Sequence, residues 1–254
     1  GVLFILKDLF LSCCKLKFMR SQKLLLILFG IFYVLSSCTT DSQERPNILF
    51  IMSDDHTSQA WGIYGGILEP YVKNTGIKRL ASEGVTLENM FCTNSICVPS
   101  RAALLTGVMS HKNGVYTLGD ALAPDSLNIA KVLSSSGYAT AIIGKWHLKA
   151  EPTGFDYYKV LPGQGRYFDP VFKTAENWEY GWEGGKEQKG FSSDIIGTES
   201  LDWIDAQDPE APFFLMTHFK ATHEPFHYPE RHAELLEEVV LPEPESLLAP
   251  HPTP

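Results

Sequence analysis

Residues 93–107 read TNSICVPSRAALLTG and combine loop residues with a short helical pattern that ends at a glycine. The centre of this stretch is CVPSR at positions 97–101. Proline is tolerated in the first turn of a helix, because the N–H group that it lacks has no intrahelical partner there. The pattern therefore predicts a helix that begins at Cys97, where free N–H groups and the helix dipole favour an anionic group. Arg101 adds a positive charge one turn later.

Strand-like and helix-like patterns alternate on both sides of this stretch, which predicts an α/β fold with a mostly parallel sheet. The run NILFIM at 47–52 has no polar alternation, as expected for a strand buried on both faces. Residues 151–190 are rich in Gly, Tyr and Trp and are predicted to form a long surface excursion. Further extended segments are predicted at 85–91, 138–143 and 213–219, and helices at 77–84, 126–136 and 192–205.

Chemically reactive side chains follow three of the predicted strands. Asp54 and Asp55 come after the first, Lys145 and His147 after the run at 138–143, and His223 after the run at 213–219. Because binding sites in open parallel sheets lie beyond the carboxyl ends of the strands, we expect these groups to converge on one site. Adjacent carboxylates supply hard oxygen ligands to Ca²⁺ or Mg²⁺. A solvated turn is the alternative for this pair.

The sequence C-x-P-S-R followed by A-A-L-L-T-G resembles the signature of the type I sulfatases. In that family the cysteine is oxidised to formylglycine, whose hydrate is the nucleophile. The resemblance implies an alkaline-phosphatase-like α/β/α sandwich with a mostly parallel central sheet. It also implies that Cys97 is converted to formylglycine and that Asp54, Asp55 and residue 97 bind a divalent cation, generally Ca²⁺, with Mg²⁺ as the alternative.

Two further segments carry the resemblance and imply roles for single residues. The run GKWHL at 144–148 resembles the family motif in which Lys145 grips the sulfate and His147 acts on the formylglycine hydrate. In THFKATHEPFH, His223 matches the family histidine near the leaving-group oxygen. His227 lies close by in the sequence and is the weaker candidate for that role. Arg101 would join the metal in favouring ionisation of the hydrate.

The segment LKAEPTGFDYYKVLPGQGRYFDP at 148–170 resembles the bacterial N-acetylglucosamine-6-O-sulfatases. The implied substrates are glycosaminoglycans or mucin-type glycans. Three alternatives stay open at this point. They are another glycosaminoglycan sulfatase or an arylsulfatase, a phosphatase or phosphonate hydrolase of the same superfamily, and a non-catalytic glycan-binding or inert fragment.

The amino-terminal region, 1–38, resembles an upstream segment followed by a bacterial lipoprotein signal peptide. Arg20 and Lys23 precede an apolar run at 24–35, which is shorter than the roughly 20 residues that span a bilayer. Cys38 would be the lipidated residue that anchors an exported protein to the membrane, in the periplasm or at the cell surface. We interpret 39–45 as a linker and 46–254 as the N-terminal part of a sulfatase catalytic domain.

The charge balance restricts the partners. Beyond residue 38 the chain has 16 Lys and Arg against 29 Asp and Glu, a balance of −13. Such an acidic body predicts no nucleic-acid partner, and a sulfated oligosaccharide would need a local positive pocket or a metal. A formylglycine-generating enzyme is the other expected partner. A Cys92–Cys97 disulfide is the alternative to modification of Cys97.

The resemblance also sets an expectation about length. Members of the family are roughly twice as long, and their second half supplies a further metal-binding pair. We therefore expect this chain to be C-terminally truncated, with a half-built metal site, weak metal binding and little or no turnover.

Overall fold

The computed structural model describes residues 45–249. The predicted signal peptide with Cys38 and nearly all of the predicted linker lie outside the described residues. Within 45–249, no helix is both long and apolar enough to cross a membrane.

In the described part of the chain, the central sheet has four strands, all parallel, in the order β1-β6-β2-β3. A separate pair, β4 and β5, is antiparallel. In chain order the strands are β1 Ile48–Asp54, β2 Ala139–Lys145, β3 Tyr157–Leu161, β4 Val171–Phe172, β5 Lys186–Glu187 and β6 Phe213–Thr222.

The helix predicted at Cys97 is confirmed. It runs from Cys97 to Thr106 with Pro99 in its first turn, and Gly107 ends it with a left-handed φ of 68° and an N–H bond to Ala103 O at 2.8 Å. The helices are α1 Thr75–Glu83, α2 Cys97–Thr106, α3 Ser110–Asn113, α4 Ile129–Ser135 and α5 Ser192–Asp205. Short 3₁₀ turns lie at Ser58–Ala60, Glu69–Tyr71, Ala175–Asn177, Glu230–His232 and Glu245–Leu247.

Helices cover the sheet on both faces, which confirms the predicted α/β/α layering. α2 and α4 pack on one face and α5 on the other. The first core, on the face with α2 and α4, includes Val98, Ala102, Ala130, Ile142 and Met216. The second core, on the face with α5, includes Ala141, Ile143, Ile196 and Leu215.

β1 departs from the prediction of a strand buried on both faces, which was wrong. Leu49 and Ile51 are 48% and 56% exposed, whereas Ile48 and Phe50 pack against the first core. β1 pairs only with β6 and is an edge of the described sheet. The run of apolar residues identified a strand correctly, but no helix within 45–249 covers its second face.

Residues 151–190 fit the predicted surface excursion only in their second part. Residues 174–190 are exposed or half-buried, whereas several residues of 151–173 are buried. The first part contains β3, whose Val160 and Leu161 are buried at 1% exposure. Lys159 interrupts the apolar pattern of this strand and forms an ion pair with Glu199. The extended segment predicted at 85–91 belongs to no sheet of the described chain and is irregular and largely exposed.

The other predicted elements differ only at their ends. The helix predicted from 126 begins at Ile129, because the Asn128 side chain caps it by accepting a hydrogen bond from Lys131 N at 3.0 Å. β6 continues to Thr222, three residues beyond the predicted end. The helix predicted at 192–205 has the predicted bounds.

Candidate active site

The carboxyl edge of the sheet gathers the side chains that the sequence singled out. Asp54 is the last residue of β1, Lys145 is the last residue of β2, and Cys97 begins α2. β6 lies between β1 and β2, and its end leads to His223. Parallel strands end at the same edge, so side chains that are 43 to 169 positions apart along the chain converge.

Asp54 is the centre of the buried charges. Its carboxylate contacts Lys145 Nζ directly and lies 3.5 Å from Arg101 NH2, and it accepts a hydrogen bond from Cys97 Sγ at 3.7 Å. Burial alone would raise the pKa of Asp54. The positive charges of Arg101 and Lys145 outweigh this effect and hold the pKa below its usual value. The carboxylate is therefore ionised.

Arg101 and Lys145 bring two positive charges into the protein interior, at 4% and 0% exposure. Arg101 NH1 donates to Lys145 O at 2.6 Å, and Lys145 Nζ donates to Gln164 Oε1 at 2.6 Å. Burial lowers the pKa of both groups, while the Asp54 carboxylate opposes that shift. One buried carboxylate faces two buried cations, so these three groups have a net charge of about +1 that favours binding of an anion.

Cys97 is half-buried at the edge of this cluster. Burial raises the pKa of its thiol, and the carboxylates of Asp54 and Asp55 act in the same direction against Lys145 and Arg101. The side chain is thus a neutral thiol rather than a nucleophilic thiolate. Cys92 and Cys97 are both free, and Cys92 Sγ instead donates to Asn94 O at 2.8 Å. The structure contains no disulfide at this pair.

Asp54, Asp55 and Cys97 offer donor atoms that all lie within 4.8 Å of one another. Asp55 has a left-handed φ of 52° and a largely exposed carboxylate. The two carboxylates suit Ca²⁺ or Mg²⁺, which prefer hard oxygen ligands, whereas a thiol suits neither ion. The donor set therefore fits such a cation only once an oxygen replaces the sulfur of residue 97.

His147 lies within the buried part of the site, at 4% exposure, in a left-handed backbone conformation with φ 58°. Burial, followed by the charges of Lys145 and Arg101, lowers the pKa of His147 to about 4. Its Nδ1 is buried and has no hydrogen-bond partner among the described residues. The ring packs against Trp182 with 5.3 Å between centroids. The imidazole is thus neutral at neutral pH.

His223 approaches from the loop after β6. Its Nε2 lies 3.5 Å from Asp55 Oδ2, and its Nδ1 lies 2.9 Å from Glu224 O. His227 is exposed, and its ring centroid lies 5.7 Å from that of Tyr167. The structure therefore brings His223 to the acidic pair and leaves His227 in a neighbouring group of aromatic rings.

Several residues of the site were missed by the sequence analysis. Gln164 follows β3 in a P-G-Q-G turn whose flanking glycines have φ values of 54° and 71°, and this turn was hidden inside the predicted surface excursion. His218 lies within β6, and its Nδ1 is 3.1 Å from Arg101 NH1. Burial lowers the pKa of His218 to about 3. Lys220 and Tyr167, both buried, adjoin His223.

The sulfatase family model matches residues 46–244 of this chain. The chain belongs to the sulfatase family. It is 38% identical to an N-acetylglucosamine-6-O-sulfatase of Bacteroides thetaiotaomicron, over 94% of this chain and 42% of the relative. It is also 32% identical to the human N-acetylgalactosamine-6-sulfatase, over 72% of this chain and 40% of the relative. The chain thus spans about two fifths of the length of these sulfatases.

A solved structure of a protein in complex with its substrate D-glucosamine-2-N,6-O-disulfate matches with a TM-score of 0.73 and 37% identity. The match covers 80% of this chain and 40% of that chain. The alkaline-phosphatase-like fold implied by the resemblance is confirmed.

Proposed function

We propose that this sulfatase chain provides the sulfate-binding half of an enzyme that hydrolyses the 6-O-sulfate ester of N-acetylglucosamine in glycosaminoglycan or mucin-type glycans. The proposal rests on one observation above all. The Cys97 side chain contacts the carboxylate of Asp54, which Lys145 and Arg101 also contact. The substrate assignment is supported by the relative and the solved complex that act on or bind 6-sulfated glucosamine.

The buried cations account for sulfate binding. A sulfate ester carries one negative charge, and Lys145 and Arg101 supply fixed positive charge in a site that largely excludes water. Such preorganised charge stabilises the negative oxygens that develop during transfer, and it acts more strongly at low dielectric than in water. Gln164 and Asp54 both hold the Lys145 ammonium, so its position is fixed before substrate binds.

Asp54 and Asp55 would hold the divalent cation, for which we propose Ca²⁺, together with an oxygen of residue 97. The ion would supply charge stabilisation and favour an ionised hydroxyl. Conversion of Cys97 to formylglycine, followed by addition of one water molecule to the aldehyde, would supply two hydroxyls on one carbon. One hydroxyl can then accept the sulfuryl group, and the other can lose a proton to expel sulfate. The raised pKa of the unmodified thiol argues against direct attack by sulfur.

Two histidines would move the protons. His223, with both ring nitrogens protonated, would donate its Nε2 proton to the departing sugar oxygen. His147 is neutral at neutral pH because its pKa is about 4, and the neutral ring has the lone pair needed to accept a proton from the second hydroxyl. The two residues reach the site from different strand ends, which suits separate acid and base roles.

We further propose that the protein is an exported bacterial lipoprotein anchored through Cys38, in the periplasm or at the cell surface. A formylglycine-generating enzyme would act on residues 97–101 before use. Sulfated glycans are found outside the cytoplasm, which supports this location.

The test uses the chain coexpressed with a formylglycine-generating enzyme, in buffer with Ca²⁺. Calorimetry measures binding of N-acetylglucosamine-6-sulfate, N-acetylglucosamine and N-acetylglucosamine-6-phosphate, and ion chromatography measures released sulfate. We expect the sulfate ester to bind at least tenfold more tightly than the other two. The described residues offer three donor groups, whereas Ca²⁺ takes about six to eight ligands, so we expect little or no sulfate release.

Cys97→Ala is the matched control, since it removes the nucleophile and keeps every buried charge. We expect this variant to bind the ester and release no sulfate. Preference for the phosphate ester would instead identify a phosphatase of the same fold. Equal affinity for N-acetylglucosamine and its 6-sulfate would contradict the proposal and favour a non-catalytic role.

A further inference from the structure

Two buried side chains outside the proposed catalytic set hold the backbone of the loop that carries His223. The Tyr167 hydroxyl donates to His223 O, and Lys220 Nζ donates to Glu224 O at 3.0 Å. The Lys220 ammonium also lies over the Tyr167 ring, 4.8 Å from its centroid. Tyr167 and Lys220 are only 3% and 2% exposed. They form one unit that fixes two consecutive carbonyl groups.

The position of the His223 ring depends on one of these carbonyls. Glu224 O accepts from Lys220 and also lies 2.9 Å from His223 Nδ1. The Glu224 carbonyl and the Asp55 carboxylate can both only accept a hydrogen bond, and the carbonyl is the nearer of the two, so the single proton of the neutral ring is placed on Nδ1. The Nε2 atom is then directed toward Asp55, at 3.5 Å from Asp55 Oδ2. It carries the second proton when the ring is protonated, and that proton is the one available to a leaving-group oxygen. The turn is closed by the bond from His223 N to Lys220 O at 3.1 Å.

A purely structural role would not require a charge at position 220. Burying an ammonium is unfavourable unless its hydrogen bonds are satisfied, and Lys145 adds repulsion, so burial and that charge lower the pKa of Lys220. An apolar side chain would fill the same space without this cost. What lysine adds is a hydrogen-bond donor that reaches the carbonyl to which the His223 ring is bound.

We propose that Lys220 and Tyr167 are positioning residues that hold the His223 loop through the carbonyls of residues 223 and 224, and so direct His223 Nε2 toward the leaving-group oxygen. This inference rests on the proposed sulfatase function in so far as His223 donates the proton. The positioning itself rests on the contacts alone.

The first readout is the ring ¹⁵N spectrum of His223, recorded on the full chain in mildly alkaline buffer and assigned with His223→Gln. We expect a single Nδ1-protonated tautomer in the wild type and a mixture of tautomers in Tyr167→Phe and Lys220→Met. Tyr158→Phe is the matched control, because it removes a tyrosine hydroxyl that donates to Glu151 rather than to the His223 loop. An unchanged His223 spectrum in Tyr167→Phe would overturn the proposal, whether or not Lys220→Met folds.

The second readout compares two leaving groups in the matured chain. A sugar alkoxide needs a proton as it leaves, whereas a nitrophenolate does not. Because general acid catalysis contributes about 10²–10⁴-fold, we expect both variants to slow the sugar sulfate at least tenfold and 4-nitrophenyl sulfate less than twofold. Equal losses on both substrates would indicate a structural role and overturn the proposal. If the wild type releases no measurable sulfate, as the incomplete metal site predicts, the ester-binding test still decides the proposed function and the ¹⁵N result alone decides the positioning.

Discussion

Asp54 and Asp55 are adjacent and chemically identical, yet the structure gives them different tasks. Asp54 is buried and neutralises Arg101 and Lys145, whereas Asp55 has a side chain that is 56% exposed. Removing one partner from a buried ionic cluster leaves uncompensated charge, at a cost of about 3–5 kcal/mol. Exposed charges contribute little.

We therefore expect Asp54→Ala to lower the free energy of unfolding by about 3–5 kcal/mol, and Asp55→Ala to change it by less than about 1 kcal/mol. Urea denaturation measures both values. The pair is matched, since either substitution removes one proposed ligand of the cation. Equal destabilisation by the two variants would be incompatible with Asp54 as the centre of the charge cluster.

His147 and His218 make stability depend on pH. Burial lowers their pKa values to about 4 and about 3 in the folded protein. In the unfolded chain these two rings take up protons near pH 6.5, whereas in the folded protein they do not. The free energy of unfolding is therefore at its full value above about pH 6.5 and declines as the pH falls toward 4.

The expected decline is about 1.4 kcal/mol per pH unit for each histidine in the steep part of this interval. Urea denaturation at a series of pH values measures the slope. His147→Gln should reduce the slope between pH 6.5 and 4 by about half. A slope that this substitution leaves unchanged would show that His147 is not the buried neutral ring described above.

At the scale of elements, the close approach of β2 and β6 fixes the position of Lys145. Gly144 has a φ of 105°, and a Cβ atom there would lie 1.9 Å from His218 O. Gly107 has a φ of 68°, and a Cβ atom there would meet no other side chain or packed strand among residues 45–249 within 4 Å. A side chain at either position would strain the backbone, but only at Gly144 would it also clash with the neighbouring strand.

We expect Gly144→Ala to destabilise the protein by about 3 kcal/mol or more, and Gly107→Ala by about 1 kcal/mol. Thermal and urea unfolding of both variants test this difference. Similar costs at both positions would mean that the strands can separate without loss, contrary to the packing described here.

How much the sequence predicts differs between elements for physical reasons. The start of α2 was predictable because Pro99 constrains the local backbone, and the strand-end positions of Asp54 and Lys145 follow from the geometry of parallel sheets. β3 was missed because Lys159 interrupts its apolar pattern and is neutralised by Glu199, a residue distant along the chain. Because β3 was not predicted, Gln164, which follows it, was not recognised as a residue of the site.

Burial was harder to predict than secondary structure. The run at 47–52 is apolar throughout, but its exposure depends on which elements lie beside it, and no local pattern encodes that. His218 shows the same limit, since its place in β6 says nothing of its contact with Arg101. These contacts are between residues far apart in sequence, so they emerge only in the folded chain.

Within residues 45–249, one face of β1 leaves apolar side chains exposed. Leu49 and Ile51 are exposed, and Ile51 lines a groove with Leu80, Val85 and Met90, which are 63%, 85% and 76% exposed. Exposed apolar patches and open strand edges promote association.

We expect this chain to self-associate with rising concentration, and the double substitution Leu49→Lys/Ile51→Lys to reduce that association. Sedimentation velocity measures it. Leu118→Lys/Leu127→Lys is the control, since these leucines are also exposed but lie outside the groove. A wild-type chain that stays monomeric at every concentration would contradict this expectation.

Peptide mass spectrometry of residue 97, after coexpression with a formylglycine-generating enzyme, decides whether Cys97 is the reactive group of a sulfatase. We expect Cys97 to exchange one sulfur and two hydrogens for one oxygen, which yields an aldehyde beside the carboxylate that Arg101 and Lys145 contact. An unmodified thiol, or a disulfide between Cys92 and Cys97, would contradict the assignment of residue 97 as the reactive group of a sulfatase.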